Sequence, residues 1–144
     1  MTLKLSERLK EYMQEKGLSQ VALAEKTGIS HTNISDFLAD IHLPSYDNFL
    51  RLLYFFDCSA DYLIGLVDLH TDEPLHPALP FHQRLRFLLK THGISQGKLQ
   101  RELPVSSSGL YGWISGKRKP ALPSLVLLCE YLDCSLDYLI GRRR

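Results

Sequence analysis

Leu5, Leu9, Tyr12 and Met13 recur at i, i+4, i+7 and i+8, which sets four apolar side chains on one face of a helix ending at Gly17. Ser19 stands where an N-cap belongs for a second helix, Gln20–Lys26, with Val21 and Leu23 turned inward and Gly28 closing it. Ser30 caps a third helix over about 31–39, with Ile34, Phe37 and Leu38 as its buried positions. Ser45 caps a fourth over about 46–56. Ser59 caps a last turn, 60–64, with Asp61 near its positive end and Gly65 after it. The same plan returns later in the chain. Phe81, Leu85, Leu88 and Leu89 line a first helix, Ser95 and Ser106 cap the second and third, Pro123 begins the fourth, and Ser135 and Gly141 bracket the fifth. No segment alternates with the period of two that marks a half-buried strand, so the pattern predicts an all-α protein.

The recurrence is an internal repeat. Shifting the sequence by 76 residues aligns 5–65 with 81–141 without a gap, and 17 of the 61 pairs are identical. GLSQ (17–20) matches GISQ (93–96), and DCSADYLIG (57–65) matches DCSLDYLIG (133–141); Arg8/Arg84, Leu9/Leu85, Leu23/Leu99 and Pro44/Pro120 also coincide. Two copies are too few for a solenoid, and each is the size of a small independent domain. The expected organisation is a first domain over 1–66, a linker over 67–80 and a second domain over 81–144. Prolines at 74, 77 and 80 block a continuous helix in the linker and favour an extended strap.

With 44% apolar and 23% charged residues the chain is globular rather than disordered. No apolar run approaches the roughly 20 residues of a membrane span. The opening MTLKLSERLKEY has no apolar export core, and Cys58, Cys129 and Cys134 show no C-x-x-C spacing; both features fit a cytoplasmic, reducing setting. The net charge of +1 hides an asymmetry: residues 1–70 hold six Lys/Arg against ten Asp/Glu, whereas 71–144 hold eleven against six. The contrast is sharpest at one repeat position, where ADIHLP (39–44) in the first copy faces SGKRKP (115–120) in the second. One half should be drawn to a polyanion and the other should not.

A short helix, a tight turn and a second helix form a helix-turn-helix, whose second helix enters the DNA major groove. GISQGKLQRELPVSSSGLYGWISGKRKP, and in the first copy GLSQVALAEKTGISHTNISDFLADIHLP, resemble the Cro/lambda-repressor-like helix-turn-helix family. The endings YFFDCSADYLIG and EYLDCSLDYLIG look like the close of small regulators of that family. The resemblance covers nearly the whole chain, twice. It implies two tandem five-helix domains, a transcriptional regulator, a repressor, and double-stranded DNA as the partner. It further implies that Gln20 and Gln96 touch backbone phosphate and brace the third helix. The outward positions of that helix become His31, Thr32, Asn33 and Asp36 in the first copy, and Ser107, Ser108, Gly109, Tyr111 and Gly112 after the Ser106 cap in the second. Lys117, Arg118 and Lys119 become the phosphate-gripping loop, with Lys98 and Arg101 adding charge from helix two. Two departures from the family pattern stand out. Leu38 and Ile114 occupy a position where the family commonly has glutamate, and the second copy lacks the Arg, Asn or Gln forks that read guanine or adenine. Asn33 is the best-suited base reader in the chain. These features point to binding chiefly through the second domain. The acidic first domain is either a weaker reader or a protein-interaction module of the antitoxin or anti-repressor type.

Helix four of the second copy, SLVLLCEYLD, is apolar on several faces. It fits a fuller core, packing of one copy on the other as an intramolecular pseudo-dimer, or pairing of two chains as a homodimer through helices four and five. Cys58 and Cys134 read as small core residues. His70, His76 and His82 match no zinc spacing. No phosphate loop, nucleophile elbow or H-E-x-x-H occurs, so neither an enzyme nor a cofactor or metal site is expected.

Overall fold

The computed structural model describes residues 3–144, and every regular element among them is helical. Ten helices follow in order: α1 (Leu5–Lys16), α2 (Gln20–Thr27), α3 (His31–Leu38), α4 (Tyr46–Phe56), α5 (Ala60–Ile64), α6 (Phe81–Thr91), α7 (Gln96–Glu102), α8 (Ser107–Ser115), α9 (Leu122–Leu132) and α10 (Leu136–Leu139). They divide into two compact units, Met1–Glu73 and Pro74–Arg144.

Local chemistry sets most of the boundaries. All seven serines expected as N-caps act as such, each accepting a hydrogen bond from the backbone N–H three residues on at 3.0–3.2 Å. Gly17 and Gly28 end α1 and α2 in the left-handed conformation. Asp57 and Asp133 do the same for α4 and α9, both at φ 50°. Aspartate tolerates that region better than most residues, which gives the repeated Asp-Cys-Ser a backbone reason.

In unit 1, α1 packs on α3 and α5, and α2 packs on α3 and α4; in unit 2, α6 packs on α8 and α10, and α9 on α10. Leu5, Leu9, Tyr12 and Met13 are buried in the first unit, and Phe81, Leu85, Leu88 and Leu89 in the second, as their spacing implies. Two expected core positions differ. Val21 is 54% exposed although Leu23 beside it is fully covered, and Leu38 is only half-buried. Both lie near the ends of short helices, where the apolar stripe has run past the neighbouring helices. Helix α9 buries Leu125, Val126, Leu128, Cys129 and Leu132 and leaves Leu127 and Tyr131 half-covered. Cys58 is buried and Cys134 half-buried.

A buried arginine ties the first helix of each unit to its last. Arg8 Nη1 donates to the carbonyls of Tyr62 (2.8 Å) and Val67 (3.1 Å), and its guanidinium lies 3.9 Å from the Tyr62 ring centroid. Arg84 donates from Nε and Nη2 to the Tyr138 carbonyl at 3.0 and 2.8 Å and sits over the Tyr138 ring at 4.5 Å. Both are 6% exposed. Carbonyls at a helix C-terminus lack intrahelical donors, so a cation with fixed N–H groups satisfies them and also complements the helix dipole.

The 67–80 segment, expected as an extended strap, is hydrogen-bonded at several points along its length. Asp68 pairs with Arg8 at 3.6 Å, and His70 Nδ1 lies 3.2 Å from the Tyr12 hydroxyl. His76 N donates to the Arg142 carbonyl and Leu79 N to that of Ile140, at 2.8 and 3.0 Å. Replacing Arg84 by alanine should destabilise unit 2 by about 2 kcal/mol, since the Tyr138 carbonyl loses two charged donors and keeps the Gly141 N–H. Arg84→Lys should recover less than half of that loss because an ammonium cannot reproduce the fork. Urea unfolding of the two variants measures both.

Candidate nucleic-acid interface

In unit 2 the helix-turn-helix is α7, the turn 103–106 and α8. The Gln100 side chain donates to the Val105 carbonyl at 2.7 Å and fixes the turn from within. Buried Leu110 and Trp113 anchor the inner side of α8. Arg86 on α6 donates to the Ile114 carbonyl at 2.8 Å and holds the helix's far end. The outer side is thereby left to solvent. Gln96, Lys98, Ser106, Ser107, Ser108 and Tyr111 are all exposed, Tyr111 by 54%.

The basic loop lies beside this face. Lys117 Nζ is 5.4 Å from the Tyr111 ring centroid, a cation–π contact that draws the ammonium to the flank of α8. Arg118 N donates to the Gly112 carbonyl at 3.1 Å. Its side chain crosses the helix at Gly112: a Cβ there would lie 3.0–3.1 Å from the Arg118 Cβ, Cγ and Cδ. Gly112 is therefore buried beneath the arginine, not open to a ligand as its outward register suggested, and Gly109 is half-buried. The glycine forms a saddle that lets the guanidinium stem lie flat on α8. Gly97 has a related arrangement on α7, where Arg101 Nη1 comes within 3.4 Å of the Cβ position. Arg118 and Lys119 are exposed. The nearby acid, Glu102, accepts a hydrogen bond from the Tyr131 hydroxyl on α9, and this bond, with some desolvation, raises the Tyr131 pKa.

Unit 1 has the same scaffold with different chemistry. His31 and Thr32 are exposed, whereas Gln20 and Asn33 are half-buried. The Asp36 carboxylate is 3.1 Å from His42 Nε2, and the His42 ring also stacks edge-on against Phe37 at 5.4 Å. Asp40 takes φ 57° where unit 2 has Gly116, and Ile41 is 69% exposed where unit 2 has Lys117.

A family model described as helix-turn-helix matches residues 9–63 and again residues 85–139. The chain belongs to the Cro/lambda-repressor-like helix-turn-helix family. It is similar to the HTH-type transcriptional regulator ImmR of Bacillus subtilis (strain 168), with 38% identity over 63 residues, 44% of this chain and 50% of that protein. It is also similar to the uncharacterised HTH-type transcriptional regulator YobD of the same organism, with 36% identity over 59 residues, 41% of this chain and 53% of that protein. The chain thus spans about half the length of these curated relatives. No solved structure matches it significantly.

Within this helix-turn-helix frame, the residues that sequence reasoning missed are Arg86, which aims α8, and Gly112 in its saddle role. A glycine on a helix followed six residues later by an arginine beyond the helix end was the available signal. Ser106 fixes where α8 begins through its 3.0 Å bond from Gly109 N. Ser106→Ala should cost unit 2 about 1 kcal/mol, read from its urea midpoint.

Proposed function

We propose that the protein is a DNA-binding transcriptional regulator, a repressor, that engages duplex DNA chiefly through unit 2. The observation that carries this reading is the placement of Lys117 and Arg118 along the exposed flank of α8, one on Tyr111 and one across Gly112. A helix lowered into a groove would bring both cations against the phosphates bordering it, with Lys98 and Lys119 adding to the same field. Ser107, Ser108 and Tyr111 then meet base edges or a thymine methyl, and Gln96 meets the backbone. Such contacts discriminate weakly beside bidentate forks, so sequence preference leans on DNA shape. The names of the two Bacillus relatives, both transcriptional regulators, agree with this reading. His31, Thr32, Asn33 and Gln20 form the corresponding set in unit 1. The Asp36–His42 pair across that face favours a second use for unit 1, holding protein rather than DNA.

Lys117→Ala combined with Arg118→Ala should flatten the slope of log K against log salt by about 2, from two lost phosphate contacts at about 0.9 each. Fluorescence anisotropy on a genomic duplex across a salt series measures it, and an unchanged slope would contradict the placement of the DNA face. Gly112→Ala sets a helix gain of about 1 kcal/mol against a Cβ 3.0–3.1 Å from the Arg118 Cβ, Cγ and Cδ, so the stability of unit 2 should change by less than about 1 kcal/mol. The substitution should nevertheless weaken duplex binding severalfold by lifting Arg118 off α8. Thermal unfolding and the same anisotropy assay separate the two effects.

A further inference from the structure

The two helix-turn-helix segments carry opposite net charge. Where unit 2 carries Lys98, Arg101, Lys117, Arg118 and Lys119, unit 1 carries Ala22, Glu25, Ile41, His42 and Leu43. Where unit 2 has Gly112 and Gly116, unit 1 has Asp36 and Asp40. Over 95–120 the second unit holds five Lys/Arg and one acid; over 19–44 the first holds one Lys and three acids. Exposed apolar groups accompany the acids, with Val21 54% and Ile41 69% exposed. Between the end of α1, the start of α2 and the end of α3 lies a shallow, open depression lined by Met13, Leu18 and Leu38 together with Lys10, Gln14 and Gln20. An acidic face beside a partly apolar depression does not suit a polyanion. It suits a basic surface that presents one large apolar side chain.

A surface of that description is present in the chain itself: the α7–α8 face of unit 2, with Tyr111 54% exposed among Lys117, Arg118 and Lys119. We propose that the α2–α3 face of unit 1 docks in solution on the α7–α8 face of unit 2 in a second copy of this chain. Tyr111 packs against the depression at Met13, Leu18 and Leu38, and Glu25, Asp36 and Asp40 stand where DNA phosphates would otherwise lie. Charge complementarity selects this occupant, since like-charged faces would repel and opposite ones steer association. The inference rests on the reading of unit 1 as a protein-holding unit. Its consequence is competition: the second copy and DNA cannot occupy α8 together, so the regulator masks its own DNA face until duplex displaces the partner.

Sedimentation velocity of the full chain over a concentration series, at low and high salt, tests this. The expected result is self-association, as a dimer or a longer head-to-tail oligomer, that weakens with salt and dissociates when a short duplex is added. Glu25→Lys with Asp36→Lys should weaken self-association about tenfold or more, with circular dichroism reporting that the helices persist. Tyr111→Ala, at an exposed position, should weaken it independently and serves if the charge variant fails to fold. A monomer at every concentration would overturn the proposal. So would a dimer indifferent to salt and to both variants, which would assign pairing to another surface, or a dimer that keeps its contact while bound to DNA. Anisotropy on the duplex is read in parallel. DNA binding by a strict monomer removes the docking and leaves the regulator reading standing, whereas absence of DNA binding removes the regulator reading whatever the association.

Discussion

Ten helices of four to twelve residues cannot stand alone in water, because each nucleus costs more than so few hydrogen bonds return. They must be held by one another, and in each unit the closing link is a buried arginine on the first helix that binds carbonyls at the end of the last. Arg84 ties α6 to α10, and Arg86, two residues on, ties α6 to the end of α8. One helix therefore supports both the closure of the unit and the placement of the exposed α8. In unit 1, Arg8 makes the same closure from α1, and α1 again packs on α3. In both units the helix that carries this arginine also packs against α3 or α8, so the closure and the exposed helix share one support.

With the scaffold fixed in this way, function can diverge at the outer face without disturbing the core. Unit 2 uses small residues outside so that long cations can lie on the helices: Arg118 on Gly112 and Arg101 near Gly97. Unit 1 puts larger and acidic groups at the same register, and its Asp36 turns to His42. The free energies involved are small beside the buried leucines, so one fold tolerates both. The difference is one of net charge, since each cation adds attraction to a polyanion and each acid adds repulsion.

The fold was largely legible in the sequence because its signals are local. A serine three residues before an N–H, or a glycine just past an apolar stripe, acts within one turn of helix, and all seven expected caps are present. Apolar spacing marked the inner faces of α1 and α6 for the same reason. It failed at Val21 and Leu38, because periodicity gives a direction but not whether another helix is there to cover it. The candidate site was legible as a list of residues and illegible as a surface. Gly112 read as open backbone and is roofed by Arg118; Asp36 read as a group facing outward and is engaged by His42.

By itself the sequence determined helix boundaries, the twofold repeat, the family and the opposite charge of the two copies, all of which depend on residues close together along the chain or on their simple count. The tertiary structure alone decided that Arg8 and Arg84 close the units, that the 67–80 segment is bound to them, and that Lys117 and Arg118 lie along α8. Those arrangements join groups up to 66 residues apart, from His76 to Arg142. Contacts across such separations are set by how the helices pack in three dimensions, a quantity that no local spacing encodes.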